Sequence, residues 1–95
     1  MSAYMIAQVK VTDPDQFKLY AAAAGKATAQ YGGTYLARGG EMSLLEGELA
    51  AERLVIIEFK DRAAAETWYN SPEYQAAKKL REGAATGIFA AVDGA

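Results

Sequence analysis

Two charged residues of the sequence have surroundings in which they could take part in catalysis. Glu58 lies inside the apolar run RLVIIEF, where burial in an oligomer would favour its protonated form and make it a candidate general acid or base. Arg38 precedes two glycines, which would let a ligand carboxylate approach its guanidinium group for bidentate binding. The alternative is structural: Glu58 would pair with a cation across an interface, and Arg38 would pair with Glu46, Glu58 or a partner chain.

Aromatic and polar side chains supply candidate ligand contacts. Aromatic rings can wall a pocket, and their hydroxyl or indole N–H groups can orient a small ligand. The same rings also fit a core role on the buried faces of helices. Arg53 and Gln8 are open to two interpretations as well, as ligand contacts or as structural and dimer contacts. The candidate ligand-binding residues are Gln8, Tyr20, Arg53, Trp68, Tyr69 and Tyr74.

The composition disfavours metal and cofactor chemistry. The chain has no histidine and no cysteine, so the usual ligand sets for zinc, copper and haem are missing. Its acidic residues lack the spacing of a calcium loop, and its glycine pairs, Gly32-Gly33 and Gly39-Gly40, do not form a phosphate-binding motif. The sequence therefore predicts no metal site and no cofactor.

Charge and hydropathy limit the partners and the location. A net charge of −2, with acidic and basic residues interspersed, is not typical of a protein that binds nucleic acid or anionic lipid. No apolar run reaches the roughly 18 residues that a membrane helix needs, and the N-terminus lacks the pattern of a signal peptide. We expect no nucleic-acid partner, no membrane partner and a cytoplasmic location.

The strands and helices that position these residues are predicted from the spacing of apolar side chains and from the proline, glycine and capping residues between them. Alternation with period two predicts strands over residues 4–11, 34–40, 54–60 and 87–92, with residues 43–48 continuing the second strand after a bend or bulge at Gly39-Gly40. Asp13 and Gln16 resemble a capping box with Pro14 at the first helical position. A second helix is predicted to begin after Asp61 and to restart at Ser71.

The element order β-α-β-β-α-β predicts an α+β fold. With right-handed crossovers it gives the ferredoxin-like arrangement, a four-stranded antiparallel sheet with the first and third strands central and both helices on one face. Ninety-five residues are sufficient for one core, so we expect a single domain over residues 1–95.

The face of the sheet that the helices leave open is too apolar for water. Large apolar groups left in solvent favour association, so we expect a second copy to pack sheet to sheet and form a homodimer. The residues assigned to this open face are Tyr4, Ile6, Leu54 and Ile56, together with Gln8 and Glu58.

Motifs along nearly the whole chain also resemble a known family. They are Asp13-Pro14, Tyr31-Gly32-Gly33, Leu36-Ala37-Arg38-Gly39-Gly40, Glu46-Gly47, the strand RLVIIEF and Trp68-Tyr69-Asn70-Ser71-Pro72-Glu73-Tyr74. In these the chain resembles the DUF1330 family, which is similar to the dimeric α/β-barrel superfamily. The resemblance implies two ferredoxin-like sheets paired into a barrel, with small organic ligands held beside the sheet.

The resemblance predicts little about the activity of this chain, because that family has no established function. Its relatives include cofactor-independent monooxygenases, isomerases and haem-degrading enzymes, of which the last are disfavoured by the absence of histidine. Two hypotheses follow: a non-catalytic dimer that binds a small organic ligand, or a cofactor-independent enzyme of monooxygenase or isomerase type acting on a small carboxylated or aromatic substrate. The residues alone do not decide between binding protein and enzyme.

Overall fold

Seven elements make up the fold, as a computed structural model of all 95 residues, Met1–Ala95, describes it. The second predicted helix is divided at Ser71, as the Ser-Pro-Glu restart predicts. The strands are β1 (Ala3–Val11), β2 (Thr34–Arg38), β3 (Arg53–Phe59) and β4 (Ala85–Asp93), and the helices are α1 (Pro14–Gln30), α2 (Arg62–Tyr69) and α3 (Pro72–Arg81).

The four strands form one sheet in the order β2-β3-β1-β4, and every neighbouring pair is antiparallel. This confirms the α+β, ferredoxin-like prediction with the first and third strands central. Alternation places Met5, Ala7 and Val9 of β1 beside Ile57 and Phe59 of β3, all buried beneath the helices.

Side-chain caps begin each helix where the sequence predicts it. The carboxylate of Asp13 accepts a hydrogen bond from the backbone N–H of Gln16, and Asp61 accepts one from Ala64. The predicted capping box is only half formed, because the Gln16 side chain donates to the carbonyl oxygen of Leu80, 3.0 Å away, and does not return to Asp13. Gln16 thereby links α1 to α3.

The prediction that residues 43–48 continue the second strand is wrong. The backbone N–H of Gly39 donates to the carbonyl of Leu54, and the left-handed φ of Gly39, +71°, then turns the chain away from the sheet. Residues 40–52 form a connection without strand pairing. The bulge lies at Leu36, between Tyr35 and Ala37, and not at the glycine pair. The last strand exceeds the predicted 87–92 because β1 pairs with it as far as Ala85.

The sheet face opposite the helices matches the predicted open face. Tyr4, Ile6, Leu54 and Ile56 are half-buried by one another, and Ile88 of β4 adds an apolar side chain that is 66% exposed. The centre of this face is the pair Ile6 and Ile56, which are opposite each other in the β1–β3 register. None of the three helices combines the length and the apolar content needed to cross a membrane.

Candidate functional site

A cavity lies between the helix-covered face of the sheet and α1. Fourteen residues line it, and twelve of them are hydrophobic. The two exceptions are Arg38 and Arg53, and no acidic residue contributes to the wall. The free room is about 30 Å³, enough for a water molecule but not for an organic ligand unless the walls move.

The bulge at Leu36 in β2 determines that Arg38, one of the two cations of the cavity wall, faces the cavity. Tyr35 pairs with Ile57 and Arg38 pairs with Val55, and both partners belong to the helix-covered side of β3. Without an extra residue between them, two side chains three positions apart would lie on opposite faces. The bulge therefore brings Tyr35 and Arg38 to the same wall.

Arg38 spans from β2 to α1 across the mouth of the cavity. Its Nη2 donates to the carbonyl oxygen of Ala21 at 3.0 Å, and its guanidinium carbon lies 4.2 Å from the centre of the Tyr35 ring. Gly25 of α1 leaves room for this group, since a Cβ there would lie 3.0 Å from Nη2. Neither of the salt bridges predicted for Arg38, to Glu46 or to Glu58, forms in the chain. The one ion pair of the structure joins Arg62 and Asp93.

Arg53 is the second cation of the cavity and lies deeper. Its guanidinium carbon is 5.1 Å from the centre of the Phe17 ring. Its Nε is buried and has no hydrogen-bond partner. The guanidinium group packs against Gly39, where an added Cβ would overlap it. A buried N–H without an acceptor is costly, and a ligand would reach this atom only after the surrounding wall moves.

Trp68 provides a second donor without an acceptor. The side chain is 1% exposed and its indole Nε1 is buried with no hydrogen-bond partner. The ring packs on Phe59 and Tyr74, with centroid distances of 5.4 Å and 4.3 Å. Trp68 also lines a second, more open cavity of about 220 Å³ between α2 and β4, which shares Met5 and Phe89 with the first. Met5, Trp68 and Phe89 line both spaces, and Met5 is the most adaptable side chain of the three.

Two buried tyrosines form a hydrogen-bonded pair beside the cavity. The hydroxyl oxygens of Tyr20 and Tyr74 are 2.8 Å apart, and Nη1 of Arg81 donates to the Tyr74 hydroxyl at 3.3 Å. Burial raises the pKa of both phenols above the ordinary value of 10.0, and the effect is large for Tyr74. Both hydroxyls therefore stay protonated at neutral pH and orient each other.

Four predicted site residues do not line this cavity, and three of them, Glu58, Gln8 and Tyr69, lie away from it. Glu58 is on the open face of the sheet, beside Tyr4 of β1 and Thr34 of β2, and one chain does not bring it together with Arg38. Gln8 is on the same open face, between Leu54 and Ile88. Tyr69 is half-buried in the wall of the second cavity, with Lys78 Nζ 5.3 Å from its ring centre. The predicted residues that the structure brings together are Tyr20, Arg38, Arg53 and Trp68 in the cavity wall, with Tyr74 behind them.

Sequence reasoning missed two residues of this region. Tyr35 was not among the candidates because its face depends on the bulge, which has no clear signal in TYLAR. Arg81 lies seven positions after Tyr74, a spacing that returns to the same face of a helix, and this signal was present. No group of three acidic residues is arranged to hold a metal ion.

The profile of a protein family described as "Domain of unknown function (DUF1330)" matches residues 2–95. This is nearly the whole chain, in agreement with the motifs that the sequence analysis identified. None of the curated proteins matches the chain.

Three solved structures illustrate the likeness of the fold. A protein of unknown function from Rhodopseudomonas palustris has a TM-score of 0.73 at 20% identity, over 99% of this chain and 82% of that one. SnoaB, a cofactor-independent oxygenase from Streptomyces nogalater, has a TM-score of 0.67 at 13% identity, over 99% and 93%. A dimeric ferredoxin-like protein of unknown function from Thermobifida fusca has a TM-score of 0.67 at 17% identity, over 98% and 91%. At these identities the likeness shows a shared fold.

Proposed function

The chain belongs to the DUF1330 family, whose function is unknown, and we propose that it is a homodimer that binds a small organic ligand in the cavity between its sheet and α1. The observation that supports this most is Trp68, a residue of the apolar cavity wall whose buried indole N–H has no partner within the chain. A folded protein seldom leaves such a donor unsatisfied without a role for it. A ligand that brings an acceptor would remove this cost.

The dimer part of the proposal rests on the open face. Ile6, Ile56 and Ile88 form an apolar surface there, and a second copy packed sheet to sheet would cover it and complete an α/β barrel. The T. fusca protein of the same fold is described as dimeric, which supports the arrangement. In such a dimer Glu58 and Gln8 lie at the interface, whereas the cavity stays on the outer, helix-covered side of each sheet.

Trp68 also makes the proposal testable, because it is the single tryptophan of the chain and its fluorescence reports on the cavity. The protein is titrated with benzoate, phenylacetate and hexanoate and with the corresponding amides and alcohols. We expect saturable changes with at least one probe. Ala21→Leu, which narrows the cavity, should weaken that binding, while Ala22→Leu, exposed on the same helix, should not. Equal binding by both variants, or no binding by any probe, contradicts the proposal.

A second candidate function is a cofactor-independent enzyme of monooxygenase or isomerase type. The observation that favours it is the fold shared with SnoaB, a cofactor-independent oxygenase. In this version Arg38 orients a carboxylated or aromatic substrate in the cavity, and Glu58 takes part only through the dimer interface. Oxygen consumption or product formation with a probe that binds, lost in Arg38→Gln while the dimer stays intact, would support it. Binding without turnover rejects it for that probe.

A further inference from the structure

We infer that the ligand is an anion, a carboxylate with an apolar body, held by Arg38 and Arg53. This inference rests on the proposed function and names the chemical class of its ligand. Its first support is charge: the two arginines are the only non-hydrophobic residues of the cavity wall, and no acidic side chain faces them there. Two guanidinium groups beside an apolar wall attract a ligand of opposite charge, and a carboxylate fits their paired N–H groups.

The second support is the absence of internal partners for these cations. Arg38 has a single hydrogen bond, to Ala21, and its remaining donors are free for a ligand. Arg53 holds a buried Nε that meets no acceptor. The structure does contain one ion pair, between Arg62 and Asp93. It lies on the surface, both side chains are more than half exposed, and neither residue lines the cavity. The cavity arginines are therefore not used to stabilise the fold through ion pairs.

The third support is the backbone that accommodates them. Each guanidinium group lies against a glycine, Arg38 against Gly25 and Arg53 against Gly39. Gly25 is inside α1, where glycine is about 1 kcal/mol less favourable than alanine, so its presence there agrees with a need for space beside Arg38. Any side chain at Gly39 would displace Arg53. The two glycines thus leave room for the two guanidinium groups in the cavity wall.

The apolar body of the ligand would enter between α1 and the sheet. The present room of about 30 Å³ requires a side chain to move, and Arg38 is the one that is exposed and held by one hydrogen bond. Met5 and Phe89 separate this room from the second cavity of about 220 Å³, into which a longer body would extend. Trp68 lines both cavities, and its buried indole N–H, which has no partner within the chain, would reach a further acceptor of the ligand once the wall moves.

Matched acids and amides test the inference. Binding of benzoate, phenylacetate and hexanoate is compared with binding of benzamide, phenylacetamide and hexanamide, which have nearly the same shape without the charge. We expect at least one acid to bind about tenfold or more tightly than its amide, as loss of a charge-assisted hydrogen bond predicts. Arg38→Gln and Arg53→Gln should reduce this preference to about threefold or less, and the surface variant Arg62→Gln should keep it.

Gly25→Ala is a second variant that tests the same inference if an arginine variant does not fold. It keeps both cations and favours the helix, yet it places a Cβ beside Arg38 and should weaken binding of the acid more than that of the amide. Amides that bind as tightly as acids overturn the anion inference and leave the proposed function intact. A preference for acids that survives in both arginine variants also overturns it. If neither acids nor amides bind, the proposed function fails as well.

Discussion

Two side chains of the cavity wall contain a buried hydrogen-bond donor without an acceptor, and the fold itself does not explain why. Arg53 Nε and Trp68 Nε1 are both buried without an acceptor, and both belong to side chains of one cavity wall. Each such donor destabilises a folded protein by roughly 1–3 kcal/mol relative to a paired one. Neither donor has a partner within the chain, so an acceptor from a water molecule or, under the proposed function, from a ligand would remove this cost.

Glycine substitutions test whether the position of Arg53 depends on the backbone of Gly39. Gly39→Ala should lower the free energy of unfolding by about 2 kcal/mol or more, because it combines a left-handed φ with overlap on the Arg53 guanidinium group. Gly47 also has a left-handed φ, +84°, but no atom lies within 4 Å of an added Cβ. Gly47→Ala should therefore lower the free energy of unfolding by about 1 kcal/mol. Gly40→Ala has neither and should be nearly neutral. Urea denaturation gives the three values.

Equal losses at Gly39 and Gly47 would contradict the packing of Arg53 on Gly39. In that case the guanidinium group has another position open to it at little cost. The same comparison, repeated with the Arg53→Gln background, should remove the difference between the two glycines, because the overlapping group is then shorter.

The tyrosine pair makes a prediction about alkaline pH. Burial raises the pKa of Tyr20 and Tyr74 in the folded state, so the unfolded chain loses these protons first as the pH rises through about 10. The stabilisation is complete below that pH, and the free energy of unfolding should fall as the pH rises above it. Urea denaturation between about pH 9 and about pH 11 measures the slope. The double variant Tyr20→Phe/Tyr74→Phe should have a smaller slope, and an unchanged slope would contradict the assignment.

At the scale of elements, caps and a bulge decide where side chains lie. Ser71 joins α2 to α3: its hydroxyl donates to the carbonyl of Trp68 at 2.7 Å and accepts from the backbone N–H of Tyr74 at 3.1 Å. These bonds are buried and hold Trp68 and Tyr74 in ring contact. The bulge at Leu36 has a similar positioning effect in β2, because it turns the side chain of Arg38 toward the cavity.

Removal of the Ser71 hydroxyl should therefore cost more than removal of an ordinary cap. We expect Ser71→Ala to lower the free energy of unfolding by about 2 kcal/mol, since a buried donor and acceptor lose their partner. Asp61→Ala, at the exposed cap of α2, should cost about 1 kcal/mol. Chemical denaturation of both variants measures the difference, and a smaller loss at Ser71 than at Asp61 would show that the junction does not depend on this hydroxyl.

Local signals were sufficient to predict most elements but not the site. Asp13, Asp61 and Ser71 mark helix starts by side-chain chemistry within three residues, and alternation in β1 and β3 gives the correct faces. The bulge at Leu36 results from pairing with β3 and has no local signature, so the side of Arg38 could not be predicted. The adjacent leucines Leu44 and Leu45 look like a strand, but no neighbouring strand pairs with them. Glu58 was a candidate because it lies in the apolar run RLVIIEF on the open face, and that face separates it from Arg38 within one chain.

At the scale of the whole molecule, the two faces of the sheet have different roles in this account. The helix-covered face holds the cavity, with its two arginines and Trp68. The open face holds the apolar surface around Ile6 and Ile56, with Gln8 and Glu58 among it. In the proposed function, dimer formation and ligand binding use opposite sides of one sheet, so variants on one side can be tested without removing residues from the other.

The open face predicts the solution mass. Light scattering after size exclusion should give twice the chain mass of 10.1 kDa, because the apolar centre of this face is covered only in a pair. Ile6→Lys places a charge at that centre and should give the monomer. Ala76→Lys, an exposed position of α3, should leave the dimer intact. A monomeric wild-type protein, or an Ile6→Lys dimer, would contradict the sheet-to-sheet arrangement.

The most direct test of the cavity as a ligand site is the NMR signal of the Trp68 indole N–H. The chain has one tryptophan, so a nitrogen-15 correlation spectrum contains a single indole signal, and its N–H has no acceptor within the chain. Titration with the acid probe that binds most tightly should shift this signal more than the backbone signals of the open face around Ile6. Saturable binding that leaves the indole signal unmoved, while signals of the open face shift, would place the ligand elsewhere and contradict the account.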